Sequence, residues 1–315
     1  MDIRDYQPND ERDILTLFEQ VFHKKRSVDM WSWRYMQNPN GRGIIKLMWD
    51  GSRLVGHYAV CPTVVFVDGM PYGAALSTDT MVHPECWKQG IFTRLATACY
   101  DECAKRGIDL VYGFPNLNSY DTFVGKLGWT GFGKMPVWNL DLGNIYTLAM
   151  PMIPDWNPWL RQVGEFGLDV GKVLWPYLQT HRVIVSRGAT SLNWRYVQNP
   201  VVKYVRYVDT RAGILGYVVF KVLEDKGFIV DALCGSSIIH DLLGRVIFYM
   251  ANEGVKSISC YMNDERWAPE LIRFGFTKGL MEKRHFGVKL IADSPLESAL
   301  VLNNWYITQG DSDTY

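Results

Sequence analysis

Apolar residues with strand-like and helix-like spacing alternate along the first part of the chain. Three segments have strand patterns separated by Asp-Gly turns: residues 44–49, 54–67 and 72–82. Four segments have helical spacing: residues 10–22, 28–37, 91–105 and 119–127. Shorter strands are predicted at 3–7 and 110–114, and a final pair of strands ends near residue 142. The pattern predicts the order β-α-α-β-β-β-α-β-α-β, which is an α/β fold with a mixed sheet.

A seven-residue motif occurs twice in the chain. Residues 33–39 read Trp-Arg-Tyr-Met-Gln-Asn-Pro and residues 194–200 read Trp-Arg-Tyr-Val-Gln-Asn-Pro, so six of the seven residues match. Other landmarks recur in the same order: 54–56 with 214–216, Asp79 with Asp231, Asn116 with Asn263, and 128–130 with 275–277. We therefore expect two copies of one unit joined head to tail. The predicted domains are 1–142 and 186–315, with a connector at 143–185 that carries a helix from Trp159 to Tyr177.

The two copies differ most in the loop that follows the strand ending at Val82. The first turn of a helix presents unpaired N–H groups and a positive dipole end, and Gly90 lets a ligand approach the backbone closely. With Lys88 and Arg94 nearby, the loop of copy one is suited to an anion such as pyrophosphate. The alternative is a tight strand-to-helix turn with a solvated lysine. The matching loop of copy two is shorter and has no Lys or Arg over residues 232–239, so we predict that it does not bind this ligand.

This loop and the element order around it resemble the GNAT superfamily of acyl-CoA-dependent N-acyltransferases. The family motif is Gln/Arg-x-x-Gly-x-Gly/Ala, and residues 87–92 keep the central Gly90 but have Trp87 and Phe92 at the outer positions. Residues 118–129 resemble the helix that precedes the last strands of the family. The resemblance covers residues 1–142, and residues 186–285 as a degenerate copy. It implies two GNAT-like domains in tandem, the second of them degenerate.

The resemblance also implies a place for acyl-CoA, either acetyl-CoA or a longer acyl-CoA, as co-substrate. The pantetheine arm is expected to pair with the backbone at Thr80, Met81 and Val82. The pyrophosphate is expected on the amides of the loop and helix start: Lys88, Gln89, Gly90, Ile91 and Phe92. An amine would then attack the thioester directly, and the N–H of Met81 would stabilise the developing oxyanion.

The tyrosine that often serves this family as general acid is missing, because Val124 stands at its position. Tyr120, one helical turn earlier, and Asp79 on the preceding strand are the candidate catalytic residues. Their alternatives are packing for Tyr120 and a structural, backbone-bonded role for Asp79. His83 is either a base or a solvated loop histidine. Asn116 either polarises the substrate or cofactor, or forms a turn.

The acceptor is suggested by the remaining motifs. The Trp-Arg-Tyr repeat is either architectural, with its aromatic residues in the core, or it brings Arg34 or Arg195 to an acceptor phosphate. Residues 305–313 resemble the ending of tandem GNAT-like proteins of surface-polysaccharide pathways, which implies a nucleotide-linked amino sugar as acceptor. A small amine, an amino acid or a peptide remains an alternative acceptor. A non-catalytic acyl-CoA-binding module remains an alternative function.

Composition excludes several other classes. The 33 Lys and Arg residues balance 33 Asp and Glu residues, so neither nucleic acid nor an anionic membrane is an expected partner. This balance and the phosphate loop also argue against an aminoacyl-tRNA-dependent ligase. No run reaches the ~18 apolar residues of a spanning helix, the start is charged, and the six cysteines lack framework or metal-ligand spacing. We expect a cytoplasmic monomer or homodimer with reduced thiols and no metal.

Overall fold

Two units make up the chain in the computed structural model, which describes residues 1–143, 158–178, 181–211, 213–291 and 295–313. Unit 1 comprises residues 1–133 and 283–300, and unit 2 comprises residues 134–282 and 301–315. Both are mixed α/β structures, so the predicted fold class is confirmed.

Unit 1 is a mixed sheet with two pairs of helices. Its strands are β1 (Asp2–Asp5), β2 (Ile44–Asp50), β3 (Arg53–Val67), β4 (Met70–Val82) and β5 (Leu110–Gly113). Its helices are α1 (Glu11–Phe22), α2 (Val28–Tyr35), α3 (Ile91–Lys105) and α4 (Leu117–Leu127). Neighbouring strands pair in the order β1-β2-β3-β4-β5, antiparallel up to β4 and parallel between β4 and β5. Both Asp-Gly turns lie where the sequence predicts them.

The helices of unit 1 pack their apolar stripes on the sheet. In α3, Ile91, Leu95 and Cys99 recur at every fourth position and are buried in a core with strand residues such as Val60. The second core contains Leu17 of α1 together with other buried residues of α1, α2 and the sheet. The loop that joins β4 to α3 is therefore held at both ends by packed elements.

Unit 2 repeats much of this order. Its strands are β7 (Leu160–Gln162), β8 (Val183–Val185), β9 (Val205–Asp209), β10 (Gly216–Leu223), β11 (Lys226–Cys234), β12 (Ser257–Cys260) and β14 (Trp305–Tyr306). Its helices are α5 (Leu174–Leu178), α6 (Ala189–Tyr196), α7 (Ile239–Asn252) and α8 (Ala268–Arg273). The succession α6-β9-β10-β11-α7-β12-α8 corresponds to α2-β2-β3-β4-α3-β5-α4, and β11 and β12 are parallel like β4 and β5.

Two long strands, β6 (Thr130–Asp141) and β13 (Thr277–Leu290), pass from one unit to the other. In unit 1, residues 287–290 of β13 pair antiparallel with β5. In unit 2, residues 138–141 of β6 pair antiparallel with β12. The sequence predicts a closing strand pair within residues 1–142. Instead, β6 is one strand, and the strand beside β5 comes from the second half of the chain, because an apolar pattern does not specify which strand it pairs with.

The connector differs from its prediction. The helix expected from Trp159 to Tyr177 is replaced by β7, a 3₁₀ segment at 168–173 and the short helix α5. Glycines 164, 167 and 171 fall inside the expected helix, and each disfavours it by about 1 kcal/mol relative to alanine. Residues 144–157, 179 and 180 of the connector lie outside the described part of the chain.

Three further features concern the whole described chain. None of the helices in the described ranges combines the length and apolar character needed to cross a bilayer. All six cysteines are buried thiols outside any disulfide. Within the same ranges, no three His, Cys, Asp or Glu side chains are grouped so that they could hold a metal ion.

Candidate active site

A β-bulge interrupts β4 at the predicted catalytic strand segment. His57 pairs with Met81 and Ala59 pairs with Thr78, so two residues of β4, at positions 79 and 80, face one residue of β3. Asp79 adopts a left-handed backbone conformation with φ of 50°. The ladder between β4 and β5 ends at Ser77, while β4 continues for five residues to Val82. We call residues 78–82 the β4 overhang. A bulge of this kind re-aims the backbone that follows it.

The carboxylate of Asp79 lies in a buried polar cluster under this bulge. It forms an ion pair with Arg26, accepts a hydrogen bond from the Tyr35 hydroxyl at 2.5 Å, and lies 3.7 Å from Nη1 of Arg34. Burial alone raises the pKa of Asp79, but the two arginines outweigh burial, so the pKa is lowered from its ordinary value. A carboxylate held in this way favours the structural alternative over a role as acid or base.

The same arrangement occurs at the matching aspartate of unit 2. Asp231 accepts hydrogen bonds from the hydroxyls of Tyr196 and Tyr217, both at 3.1 Å, and from Nε of Arg187 at 3.2 Å. The tyrosine of the Trp-Arg-Tyr motif therefore bonds the strand aspartate in both units. Arg34 donates to Oγ1 of Thr78 at 2.8 Å and is 7% exposed, so the geometry favours the architectural interpretation of the motif.

Two members of this cluster carry no motif and were missed in the sequence. Arg26 follows α1 in an irregular segment, and nothing local marks it as a partner of Asp79. His57 is fully buried on β3, and its Nδ1–H donates to the backbone oxygen of Asp79 at 2.7 Å. Burial lowers the pKa of His57, which keeps the ring neutral. The signal for His57 was present, because a histidine inside an apolar strand run requires a buried partner.

The loop between β4 and α3 is largely exposed and leads directly into the start of α3. Lys88 and Gly90 are both left-handed, with φ of 64° and 74°, and residues 87–90 are exposed. Helix α3 begins directly after Gly90, without a side-chain cap and without an acidic residue in its first turn. A Cβ on Gly90 would meet no atom within 4 Å, so the space in front of the helix start is open. These features fit a bound anion.

The two residues that depart from the family motif have distinct surroundings. Trp87 is 60% exposed, and its Nε1–H donates to the backbone oxygen of Val82 at 2.9 Å. Phe92 points inward, with ring centroids 6.0 Å from Tyr58 and 5.0 Å from Phe123. Phe92 therefore joins the wall between α3 and α4, and Trp87 covers the end of the β4 overhang.

The remaining candidates are spread around the end of β5. Tyr120 is half-buried in the first turn of α4, and its hydroxyl lies against Gly131. Asn116 caps α4 by accepting from the backbone N–H groups of residues 118 and 119 at 3.0 and 3.1 Å, which favours its turn-forming role. His83 is not solvated as the loop alternative supposes. The residue is 9% exposed, and Nε2 of its ring lies 2.8 Å from Nη2 of Arg53.

The backbone edge of unit 2 that matches the β4 overhang is filled by residues of the same unit. The ladder between β11 and β12 ends at Ile229, and residues 230–234 form the β11 overhang. The hydroxyl of Tyr306 donates to the oxygen of Ala232, and the hydroxyl of Tyr177 bonds both the oxygen and the N–H of Cys234, at 2.5 and 3.0 Å. Asn263 anchors this covering segment through the oxygen of residue 305 at 2.7 Å and the N–H of residue 307 at 2.8 Å.

Solved structures of other proteins share the fold of this chain. No curated protein matches the chain. Similar solved structures include a probable N-acyltransferase of unknown function from Enterococcus faecalis, with 12% identity and a TM-score of 0.71 over 92% of this chain and 72% of that one. GCN5-related N-acetyltransferases from Kribbella flavida and Anabaena variabilis share 11% and 14% identity, both with a TM-score of 0.66. Both alignments cover 92% of this chain, and they cover 70% of the Kribbella protein and 73% of the Anabaena protein. Likeness at this identity shows the fold.

The family match lies in the first part of the chain. Residues 2–131 match the family model described as an acetyltransferase (GNAT) domain. This range contains β1 to β5, the bulge at Asp79, the exposed loop and the uncapped start of α3. Residues 2–131 therefore match a GNAT acetyltransferase domain, and this match supports an acyl-CoA-dependent N-acyltransferase.

Proposed function

We propose that unit 1 transfers an acyl group from acyl-CoA to the amine of a nucleotide-linked amino sugar. The observation that carries the acyl-CoA part of the proposal is the contrast between two matching strand edges. The β4 overhang in unit 1 lies beside an uncapped helix start with an open Gly90, whereas the β11 overhang in unit 2 is covered by Tyr177 and Tyr306. We further propose that unit 2 is a degenerate copy of unit 1 that has lost acyl-CoA binding.

The residues of unit 1 fit acyl-CoA along its length. The N–H groups of residues 90–92 and the exposed Lys88 suit the pyrophosphate, because they combine unpaired donors with a positive helix end. Thr80, Met81 and Val82 extend past the end of β5 and offer strand backbone to the amide groups of pantetheine. The acyl chain length is left open by these contacts.

The reaction itself needs no protein nucleophile. The acceptor nitrogen forms a bond to the thioester carbon, the carbon–sulfur bond breaks, and the amine loses a proton to solvent. A backbone N–H of the β4 overhang is our proposed donor to the oxyanion, a role that the family resemblance gives to Met81. Tyr120 is our proposed donor of the proton that the leaving thiolate takes up. Asp79 is assigned to hold the bulge, since its carboxylate is already paired with Arg26.

The nucleotide-linked amino sugar is proposed from the resemblance of residues 305–313 to tandem proteins of surface-polysaccharide pathways. In unit 2 these residues cover the β11 overhang, where Thr308 also donates to Oδ1 of Asp231 at 3.1 Å. Their role here is to close the degenerate site. Residues 305–313 thus support two parts of the proposal. Their resemblance suggests the acceptor class, and their contacts with the β11 overhang suggest that unit 2 has lost acyl-CoA binding.

Ligand-dependent thermal unfolding tests both substrates. The full chain is titrated with acyl-CoAs of increasing length, crossed with UDP, dTDP and the amino sugars linked to each. A ligand at 100 times its dissociation constant stabilises the protein by about 2.7 kcal/mol, which is readily detected. We expect an acyl-CoA and one nucleotide each to raise the melting temperature, and mass spectrometry to detect the N-acylated sugar nucleotide.

A matched pair of variants locates the acyl-CoA site. Gly90 and Gly107 lie at opposite ends of α3, have φ of 74° and 70°, and face open space. Gly90→Glu places a carboxylate in the proposed anion site, and we expect at least a tenfold loss of acyl-CoA affinity. Gly107→Glu carries the same backbone strain and added charge, and it is expected to bind acyl-CoA as the wild type does. Equal affinity of the two variants would contradict the site, and absence of any nucleotide shift would contradict the acceptor.

A further inference from the structure

The phenol of Tyr120 is confined on one side by the start of β6. A Cβ on Gly131 would overlap the hydroxyl of Tyr120 and lie 2.7 Å from Cγ2 of Val124. The N-terminal turn that carries Tyr120 is fixed by the Asn116 cap, whose side chain accepts from two backbone N–H groups. Gly131 and the cap therefore limit the position of the Tyr120 ring on one side. A half-buried phenol on the first turn of a helix needs a second contact to hold its side-chain rotamer.

That second contact comes from β13. The imidazole of His285 stacks on the ring of Tyr120, with centroids 4.2 Å apart and an angle of 26° between the planes. The backbone of His285 is held at this place, because its N–H donates to the oxygen of Pro115 at 2.9 Å. The preceding residue, Arg284, donates from Nη1 to the oxygen of Phe114 at 3.1 Å. The stacking ring therefore stands at a fixed register beside the end of β5.

The contact between the rings is the interaction that orients Tyr120. Nδ1 of His285 is buried and bonds to none of the described residues, so this nitrogen does not tie the ring to another protein group. Stacked aromatic rings contribute through their faces and need no hydrogen bond. A phenylalanine at position 285 keeps that face and removes the unpaired nitrogen, whereas an alanine removes the face.

We propose that His285 is a positioning residue of acyl transfer, which holds the phenol of Tyr120 toward the leaving sulfur by ring stacking. This proposal rests on the proposed function, in which Tyr120 protonates the thiolate. It also means that the site in unit 1 is completed by a residue from the far end of the chain. The GNAT match at 2–131 does not include that residue.

A set of variants in the full chain separates this role from a merely structural one. Kinetics with the acyl-CoA and sugar nucleotide selected above are measured for Tyr120→Phe, His285→Ala, His285→Phe and the double variant Tyr120→Phe/His285→Ala. We expect Tyr120→Phe to lower kcat by about 100-fold, the usual scale of a lost general acid. His285→Ala is expected to lower kcat by about 3- to 10-fold, the scale of a lost ring stack, with KM for acyl-CoA within twofold of wild type.

Two comparisons carry the test. His285→Phe should restore kcat, and the double variant should be no slower than Tyr120→Phe alone, because His285 acts through the hydroxyl that is already absent. His240→Ala is the control. It removes a histidine that stacks on Phe274 in unit 2 at 4.8 Å and 26°, and kcat should not change.

Each failure is distinguishable. A wild-type kcat for His285→Ala, additive losses in the double variant, or a His285→Phe enzyme as slow as His285→Ala would each overturn the positioning role while Tyr120 keeps its own. A wild-type kcat for Tyr120→Phe would remove the acid assignment and the positioning role together. Acyl-CoA binding and turnover would in every one of these cases still stand as evidence for the proposed function.

Discussion

Replacement of Asp79 by asparagine distinguishes a structural aspartate from a catalytic one. The carboxylate binds Arg26 and Tyr35, and it lies 3.7 Å from Arg34. Asparagine keeps the shape and one acceptor oxygen but removes the negative charge. The two guanidinium groups, whose side chains are 14% and 9% exposed, are then left in a poorly solvated cluster without their anion.

The expected magnitude follows from that loss. Removing one partner of a buried ion pair costs about 3–5 kcal/mol, because the remaining charge stays desolvated. A change of 1 kcal/mol shifts the melting temperature of a domain of this size by about 2–4 °C, so we expect Asp79→Asn to melt about 6–20 °C lower. At temperatures where the variant is folded, kcat should stay within about fivefold of wild type, since the side chain of Asp79 is 6% exposed and is bonded within its own cluster.

Calorimetry and steady-state kinetics on the same samples decide between the two roles. Asp231→Asn is the matched control, because it removes a carboxylate with the same kind of partners from unit 2 and should destabilise that unit while acyl-CoA affinity persists. The reasoning would be refuted by an Asp79→Asn protein that melts with the wild type and has lost about 100-fold or more in kcat, which is the scale of a missing acid or base.

Three further outcomes follow from the same contacts. Because the arginines lower the pKa of Asp79, its stabilisation is present above the unfolded value of about 3.9 and is lost as the pH falls below it. The difference in melting temperature between wild type and Asp79→Asn should therefore shrink from pH 7 toward pH 3, and a constant difference would contradict the ion pair. Gly131→Ala should lower kcat by displacing Tyr120, whereas Gly125→Ala on α4 meets no atom within 4 Å and should leave kcat unchanged in the same assay. Ser236→Glu, in the unit 2 loop, should leave acyl-CoA affinity unchanged by calorimetric titration, and a large loss would place the ligand in unit 2.

Local pattern predicted the elements of unit 1 closely. Helix α3 has the predicted limits, Ile91–Lys105, because its apolar stripe and the flanking glycines Gly90 and Gly107 are both local signals. The exchange of β6 and β13 was not predictable from pattern. Strands of both halves have similar alternation, and the choice of partner depends on contacts between distant parts of the chain.

The residues of the candidate site were likewise predictable only in part. The loop that we propose as an anion site could be picked out in the sequence because its signals are adjacent: a strand end, Lys88, Gly90 and a helix start. Asp79 was found by its place on the strand, but its role depends on Arg26, which lies 53 residues earlier and has no motif of its own. His285 was not proposed, since nothing in its neighbourhood in sequence connects it to Tyr120. Positions set by one element were predictable, and roles set by tertiary partners were not.

Unit 2 shows what a strand overhang requires. Buried backbone N–H and C=O groups must be paired, and on the β11 overhang Tyr177 and Tyr306 pair the groups of Ala232 and Cys234. Residues 305–308 of unit 2 lie beside the β11 overhang. In the proposed function, the pantetheine arm with its amide groups would lie in the same way beside the β4 overhang of unit 1. The polar anchor is the same in both units, with a motif tyrosine bonded to the strand aspartate. The difference is that side chains of unit 2 cover the β11 overhang. Under the proposed function, this cover is what prevents unit 2 from binding acyl-CoA.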